Sequence, residues 1–104
     1  MSTIDAKIVV KKYADKLRSA HFPFDAIYLY GSYAKGQGRE WSDIDVAVIS
    51  PVLGDVLGDE HFKLWRLRRG VDSRIEPYGM TPEDFENNND PMVHEIKTTG
   101  ERIV

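Results

Sequence analysis

The sequence predicts an α/β (α+β) fold, a small mixed sheet of three or more strands flanked by helices. Three observations predict it. An amphipathic run opens the chain, two short β-prone runs follow with a glycine-rich stretch between them, and a second helical run leads into a third extended segment.

From Ile4 to Leu17 the apolar residues Ile4, Ile8, Val9, Tyr13, Ala14 and Leu17 recur at three- and four-residue steps, with Lys11, Lys12, Asp15 and Lys16 between them. This spacing predicts a first helix with those apolar residues on its core side. Pro23 breaks the pattern, and Ala26-Ile-Tyr-Leu-Tyr30 is a bulky strand-like run that ends at Gly31. A glycine-rich loop from Gly31 to Trp41 leads to Ile44-Asp-Val-Ala-Val-Ile49, a buried type of strand closed by Ser50-Pro51. The span from Asp59 to Arg69 reads as a second helix, with Phe62, Trp65 and Leu64 towards the core, Lys63, Arg66, Arg68 and Arg69 around the other side, and Gly70 as its C-cap. Val71 to Tyr78 predicts a third strand. Thr81-Pro-Glu-Asp84 is a helix start signal, and a weaker helical stretch runs from Met92 to Thr99.

A length of 104 residues suits one domain, 1–104, with a single core and no separate substrate domain. With 41% hydrophobic and 30% charged residues, the chain has the balance of a soluble globular protein rather than a disordered or fibrous one. The net charge of −3 provides no global attraction to nucleic acid or to an anionic membrane, which argues against nucleic acid as a direct partner. Cysteine is absent, which excludes disulfides and thiol chemistry and fits a cytoplasmic location. No stretch approaches the ~20 apolar residues of a membrane-spanning helix, and the first twenty residues lack a signal-peptide core.

The chemistry is concentrated between the first two strands. Asp43 and Asp45 stand two apart, so in an extended segment their carboxylates leave the same face and can share hard divalent cations. Gly31 and Ser32 follow the first strand, where a glycine lets backbone N–H groups approach a phosphate and a hydroxyl adds another donor. A helix starting at Ser32 would add its positive end. Phosphate grip beside a metal is what phosphoryl and nucleotidyl transfer require. Glu76 in the third strand is the first candidate for a third carboxylate beside Asp45, and Asp72, on the same face of an extended strand, is the reserve.

Gly31-Ser32, ten intervening residues, then Asp43-Ile44-Asp45 resembles the signature of the nucleotidyltransferase superfamily that includes DNA polymerase beta, and in length and element order the chain is similar to the minimal nucleotidyltransferases. The resemblance implies a nucleotidyltransferase fold, Mg²⁺ held by Asp43, Asp45 and Glu76 as catalytic and metal-binding acids, and a nucleoside triphosphate such as ATP contacted by Gly31 and Ser32. A third acid that is Glu76 rather than Asp departs from many relatives. The resemblance further implies an antitoxin that moves AMP onto a HEPN ribonuclease toxin. Alternatives are a binding module that neutralises its partner by stoichiometric contact, and nucleotidyl transfer to a small molecule or nucleic acid. The sequence leaves oligomeric state, the triphosphate used and the acceptor residue open.

Simpler readings stand beside these. Ser32 can cap a helix, and Gly36 and Gly38 can be turn residues. Gly31-x₄-Gly36 is not a P-loop, because Gln37-Gly38 stands where Lys-Ser or Lys-Thr is required. An EF-hand fails for want of its glycine and terminal glutamate. Ser42 reads as a turn residue or a support for Asp43, and Lys35 and Arg39 as solvated or phosphate-binding. Arg66, Arg68 and Arg69 read as a solvated face or a partner-binding patch, and Trp41 could stack on a base. His21, His61 and His94 are not at ligand spacing.

Overall fold

The computed structural model describes residues 2–39, 42–55 and 58–104. Helix α1 (Thr3–Ser19) is followed by β1 (Ala26–Tyr30), β2 (Ile44–Ile49), a 3-10 turn (Pro51–Leu53), α2 (Asp59–Leu67), β3 (Ile75–Met80), α3 (Pro82–Phe85), α4 (Pro91–Thr99) and β4 (Glu101–Arg102). The strands form one mixed sheet of order β3-β2-β1-β4. β1 pairs antiparallel with β2 and β4, whereas β3 returns parallel to β2 after the crossover through α2.

Helices α1, α3 and α4 start on side-chain caps, whereas α2 starts at Gly58 without one. Ser2 and Asp5 form a reciprocal capping box on α1, Thr81 and Asp84 do so on α3, and the Asp90 carboxylate accepts from the Met92 N–H at the head of α4. The two faces of the sheet bury different sets of side chains. Ile27, Leu29, Ile44, Val46, Val48 and Ile75 pack with α1 and with Leu53 and Leu64. On the other face Ala26, Tyr30, Ala47, Ile49 and Met80 pack with Val93 and Ile96 of α4. β2 is thus buried on both faces, as its unbroken apolar run predicts, except where Asp45 interrupts it.

Several sequence expectations are corrected. The core stripe of α1 is Ala6, Val10, Tyr13, Ala14 and Leu17, while Ile4 and Ile8 are 69% and 47% exposed. Periodicity alone accommodates two neighbouring stripes, and the one buried here carries the small Ala6. On α2 the buried residue is Leu64, and Phe62 and Trp65 lie largely in solvent. The Tyr13 hydroxyl ties the two helices by donating to the Leu64 carbonyl at 2.7 Å. The cap of α2 is Arg68, and Gly70 lies in the turn beyond, at φ +80°. β3 runs from Ile75 to Met80 rather than from Val71 to Tyr78, because Asp72 and Arg74 lock each other into the preceding turn. A short β4 closes the sheet edge beside β1, where the sequence suggested only a tail. Among the described residues no helix is long and apolar enough to cross a membrane.

Candidate active site

Register places the candidate acids. Asp45 lies opposite Tyr30 on its antiparallel side and opposite Glu76 on its parallel side, so Tyr30, Asp45 and Glu76 form one row across three strands on the face that α4 covers. Strand alternation keeps this row on the α4 face, while Ile44, Val46 and Ile75 fill the opposite core. Asp43 is exposed just before β2, and Glu76 is exposed on the outermost strand.

The glycine at the end of β1 is required twice over. Gly31 has φ +75°, and a Cβ there would sit 2.2 Å from Oδ2 of Asp45. The Asp45 carboxylate therefore occupies the space that any other residue at 31 would fill. Residues 31–36 form a hydrogen-bonded turn rather than a helix, with Lys35 N–H donating to Gly31 O at 3.2 Å and Gln37 N–H to Ser32 O at 2.8 Å. Ser32 thus begins a single turn, not the helix whose positive end would have added to the site, and donors there come from the turn backbone and the half-buried Ser32.

Tyr33, which the sequence reading did not single out, anchors that turn. Its ring is buried in the main core, its hydroxyl donates to the Arg39 carbonyl, and its own carbonyl accepts from Thr3 Oγ1 at 2.6 Å. Gly38 lies against the ring so closely that a Cβ would come within 2.1 Å of it. Ser42 supports the same loop by accepting from the Arg39 N–H at 3.0 Å, in keeping with its reading as a turn residue. Trp41, suggested as a stacking residue, lies outside the described residues.

Electrostatics mark Asp45 as the strained member. Burial, and then the nearby carboxylates of Glu76, Asp43 and Glu95, push its carboxyl up to about 6. The same surroundings hold Tyr30 protonated far above its usual range: burial first, then Asp45 and Glu95. Glu95 is a second residue the sequence reading missed. It comes from α4, and its Oε1 is 3.7 Å from Lys35 Nζ, so the loop lysine faces a helix acid. Asp72 is not brought to this row. Arg74 grips both of its carboxylate oxygens, at 3.0 and 2.7 Å, and holds its carboxyl below the usual range. Arg68 is likewise committed to the fold, donating to the carbonyls of Ser73 and Ile75. Arg66 and Arg69 are exposed.

The arrangement concentrates hard oxygen donors without a compensating cation in the row, the environment a divalent metal relieves. Among the described residues no three His, Cys, Asp or Glu side chains converge closely enough as they stand to hold a metal ion. Asp45 and Glu76 are paired by register, and Asp43 stands at the open end.

Comparison with known proteins agrees with this geometry. Residues 10–98 match the family model of the nucleotidyltransferase domain. No curated protein sequence matches the chain. Among solved structures, a toxin–antitoxin with AMP-PNP is 25% identical, with 94% of this chain and 72% of that one covered and a TM-score of 0.61. A mutant of the toxin–antitoxin MntA–HpeT is 27% identical over 88% of this chain and 68% of that one, with a TM-score of 0.55. A protein from Sulfolobus solfataricus, assigned to the nucleotidyltransferases, shares the fold at 18% identity, covering 98% and 86% of the two chains with a TM-score of 0.63. With its Gly31-Ser32 turn set against Asp45 and its match to the family model over most of its length, this chain belongs to the nucleotidyltransferase domain family.

Proposed function

We propose that the protein is a Mg²⁺-dependent nucleotidyltransferase that moves AMP from ATP onto a protein partner, acting in the cytoplasm as the antitoxin of a HEPN-type toxin. The observation that carries this reading is the register that sets Asp45 beside Glu76, with Gly31 opened to make room for the Asp45 carboxylate. The solved toxin–antitoxin relatives, one of them with AMP-PNP, support both the triphosphate and the partner. The 104 residues act as one catalytic unit.

The donor set fits the metal, because Asp43, Asp45 and Glu76 offer only hard carboxylate oxygens and their mutual repulsion is already expressed at Asp45. When bound there, Mg²⁺ would neutralise phosphate charge and ease departure of pyrophosphate. Gly31 admits the triphosphate to the turn backbone, and the Ser32 hydroxyl donates to a phosphate oxygen. The acceptor hydroxyl attacks the α-phosphorus, the bond to the β-phosphate breaks, and the proton passes to Asp45 or Glu76. Lys35 is within reach of the same turn and balances Glu95 until phosphate arrives.

A second reading, neutralisation by stoichiometric contact, draws on the absence of a closed three-acid cluster among the described residues. One experiment separates the two. The protein and its neighbouring gene product are incubated with Mg²⁺ and each labelled nucleoside triphosphate, and intact mass is measured with an Asp43→Asn/Asp45→Asn control. AMP units on the partner, lost in the control, establish transfer, whereas tight association without added mass supports the stoichiometric reading. Mass added to RNA or to a small molecule instead would redirect the acceptor assignment.

A further inference from the structure

A cavity of about 310 Å³ opens at the edge of the sheet, between α2, the outermost strand β3 and the chain around α3 and the head of α4. Its wall includes Trp65, Tyr78, Met80, His61, Asp84 and Asp90. Trp65 and Tyr78 are 43% and 42% exposed, a large aromatic surface for so small a protein to leave uncovered. The Arg68 guanidinium lies 4.8 Å from the centre of the Trp65 ring, a cation–π contact. Among the described residues no lysine or arginine lines the cavity, and its acidic groups are Asp84 and Asp90.

Position relates this cavity to the acid row. Tyr78 follows Glu76 on the same face of β3, about 7 Å along the strand. In-line displacement requires the attacking oxygen to approach opposite the leaving group. With the triphosphate at the Gly31-Ser32 turn, at the β1 end of the row, the attacker must arrive from the β3 side, and the cavity lies beyond Glu76 along that strand, wrapped around the sheet edge. This orientation rests on the nucleotidyl-transfer reading given above.

We propose that the cavity docks the acceptor segment of the protein partner, and that this segment is basic. Its apolar or aromatic side chain fills the space against Trp65 and Met80, while its Lys or Arg meets Asp84 and Asp90. The complementarity of charge favours this occupant over a polyanion, because carboxylates at the rim repel a triphosphate or a nucleic-acid backbone.

The test uses two fluorescein-labelled peptides, Gly-Arg-Leu-Tyr-Leu-Arg-Gly and its counterpart with Glu in place of Arg, together with fluorescently labelled ATP. All are titrated by anisotropy against the wild-type protein, Trp65→Ala, and Asp84→Asn/Asp90→Asn. The asparagines keep the capping capacity of both positions, so the second variant removes charge without removing the helix starts. The expected result is that the basic peptide binds and the acidic one does not. Each variant weakens the basic peptide about tenfold or more, while the affinity for ATP stays within about twofold. Equal binding of the two peptides, no binding of either, or basic-peptide binding unmoved by both variants overturns the proposal. So does a loss of ATP affinity in Trp65→Ala, which would make the cavity a base pocket. Wild-type protein that binds the basic peptide through this cavity but fails to bind ATP with Mg²⁺ supports the docking pocket and overturns the transfer reading instead.

Discussion

Asp45 and Glu76 face each other across the parallel β2–β3 pair, and Glu76 is the first charge, after burial itself, that raises the cost of ionising Asp45. A parallel register, reached only after a helical crossover, is what brings these distant residues together. Replacing Glu76 by Gln keeps the shape and removes the charge. The Asp45 carboxyl should then fall from about 6 towards the ordinary range, while burial, Asp43 and Glu95 keep it from reaching it. The change is read by NMR titration of the carboxyl carbon. The same variant should lower nucleotidyl transfer by about two orders of magnitude. An unmoved Asp45 titration would show that the two carboxylates do not interact.

The raised Asp45 carboxyl also fixes a direction for pH dependence. Its value in the folded chain is about 6 against 3.8 for the ordinary group, so the folded state holds this proton more tightly than the unfolded state does. The stability it contributes is fully present below about pH 4 and is lost as pH rises through about 6. Asp45→Asn should therefore flatten that part of the stability profile, measured by urea denaturation at steps between pH 4 and 7. Mg²⁺ held by the proposed acid site would compete with the same proton, so its stabilising effect in thermal melts should grow between pH 5 and 7.5 in the wild type and be much reduced in Asp45→Asn.

Leu64 and Phe62 should separate sharply in their effect on stability. Leu64 is 1% exposed and packs in the main core beneath α1, whereas Phe62 is 65% exposed. Leu64→Ala is expected to cost about 2–5 kcal/mol through lost burial and an unfilled space. Phe62→Ala is expected to stay within about 0.5 kcal/mol, as for an ordinary surface substitution. Chemical denaturation of both variants decides it, and comparable losses would mean that α2 is rotated on the core.

These two residues also show what the sequence could and could not tell. The type and order of the helices and the first two strands were legible, because the apolar residues of α1 recur at helical steps, Thr81-Pro-Glu-Asp84 is a start signal and β2 is apolar on both faces. The buried stripe of α1 and of α2 was not, since a nine-residue helix with Phe62, Leu64 and Trp65 is amphipathic in more than one way and tertiary contact chooses between them. Asp43, Asp45 and Gly31-Ser32 could be singled out because their spacing is local. Glu95 and Tyr33 could not. Glu95 reaches the acid row only through the packing of α4, and Tyr33 looks like an ordinary loop tyrosine until Gly38 is seen pressed against its ring. The choice of Glu76 over Asp72 as neighbour of Asp45 depended on where β3 begins, which the mutual grip of Asp72 and Arg74 determines.

Gly31 offers a test in which local strain and the site are changed by one methyl group. An alanine at φ +75° is strained by about 1–3 kcal/mol, and its Cβ would fall 2.2 Å from Asp45 Oδ2. Either the turn or the Asp45 side chain must move, and both form the candidate site. Gly31→Ala should therefore lose more stability in urea than that backbone strain alone and also lose most of its response to Mg²⁺ and ATP in thermal melts. Gly36→Ala is the matched control. Gly36 has a similar φ of +72°, yet a Cβ there meets nothing within 4 Å. It should show the backbone penalty alone and retain the ligand response. If both variants respond to Mg²⁺ and ATP as the wild type does, the close approach of Asp45 to Gly31 plays no part in binding.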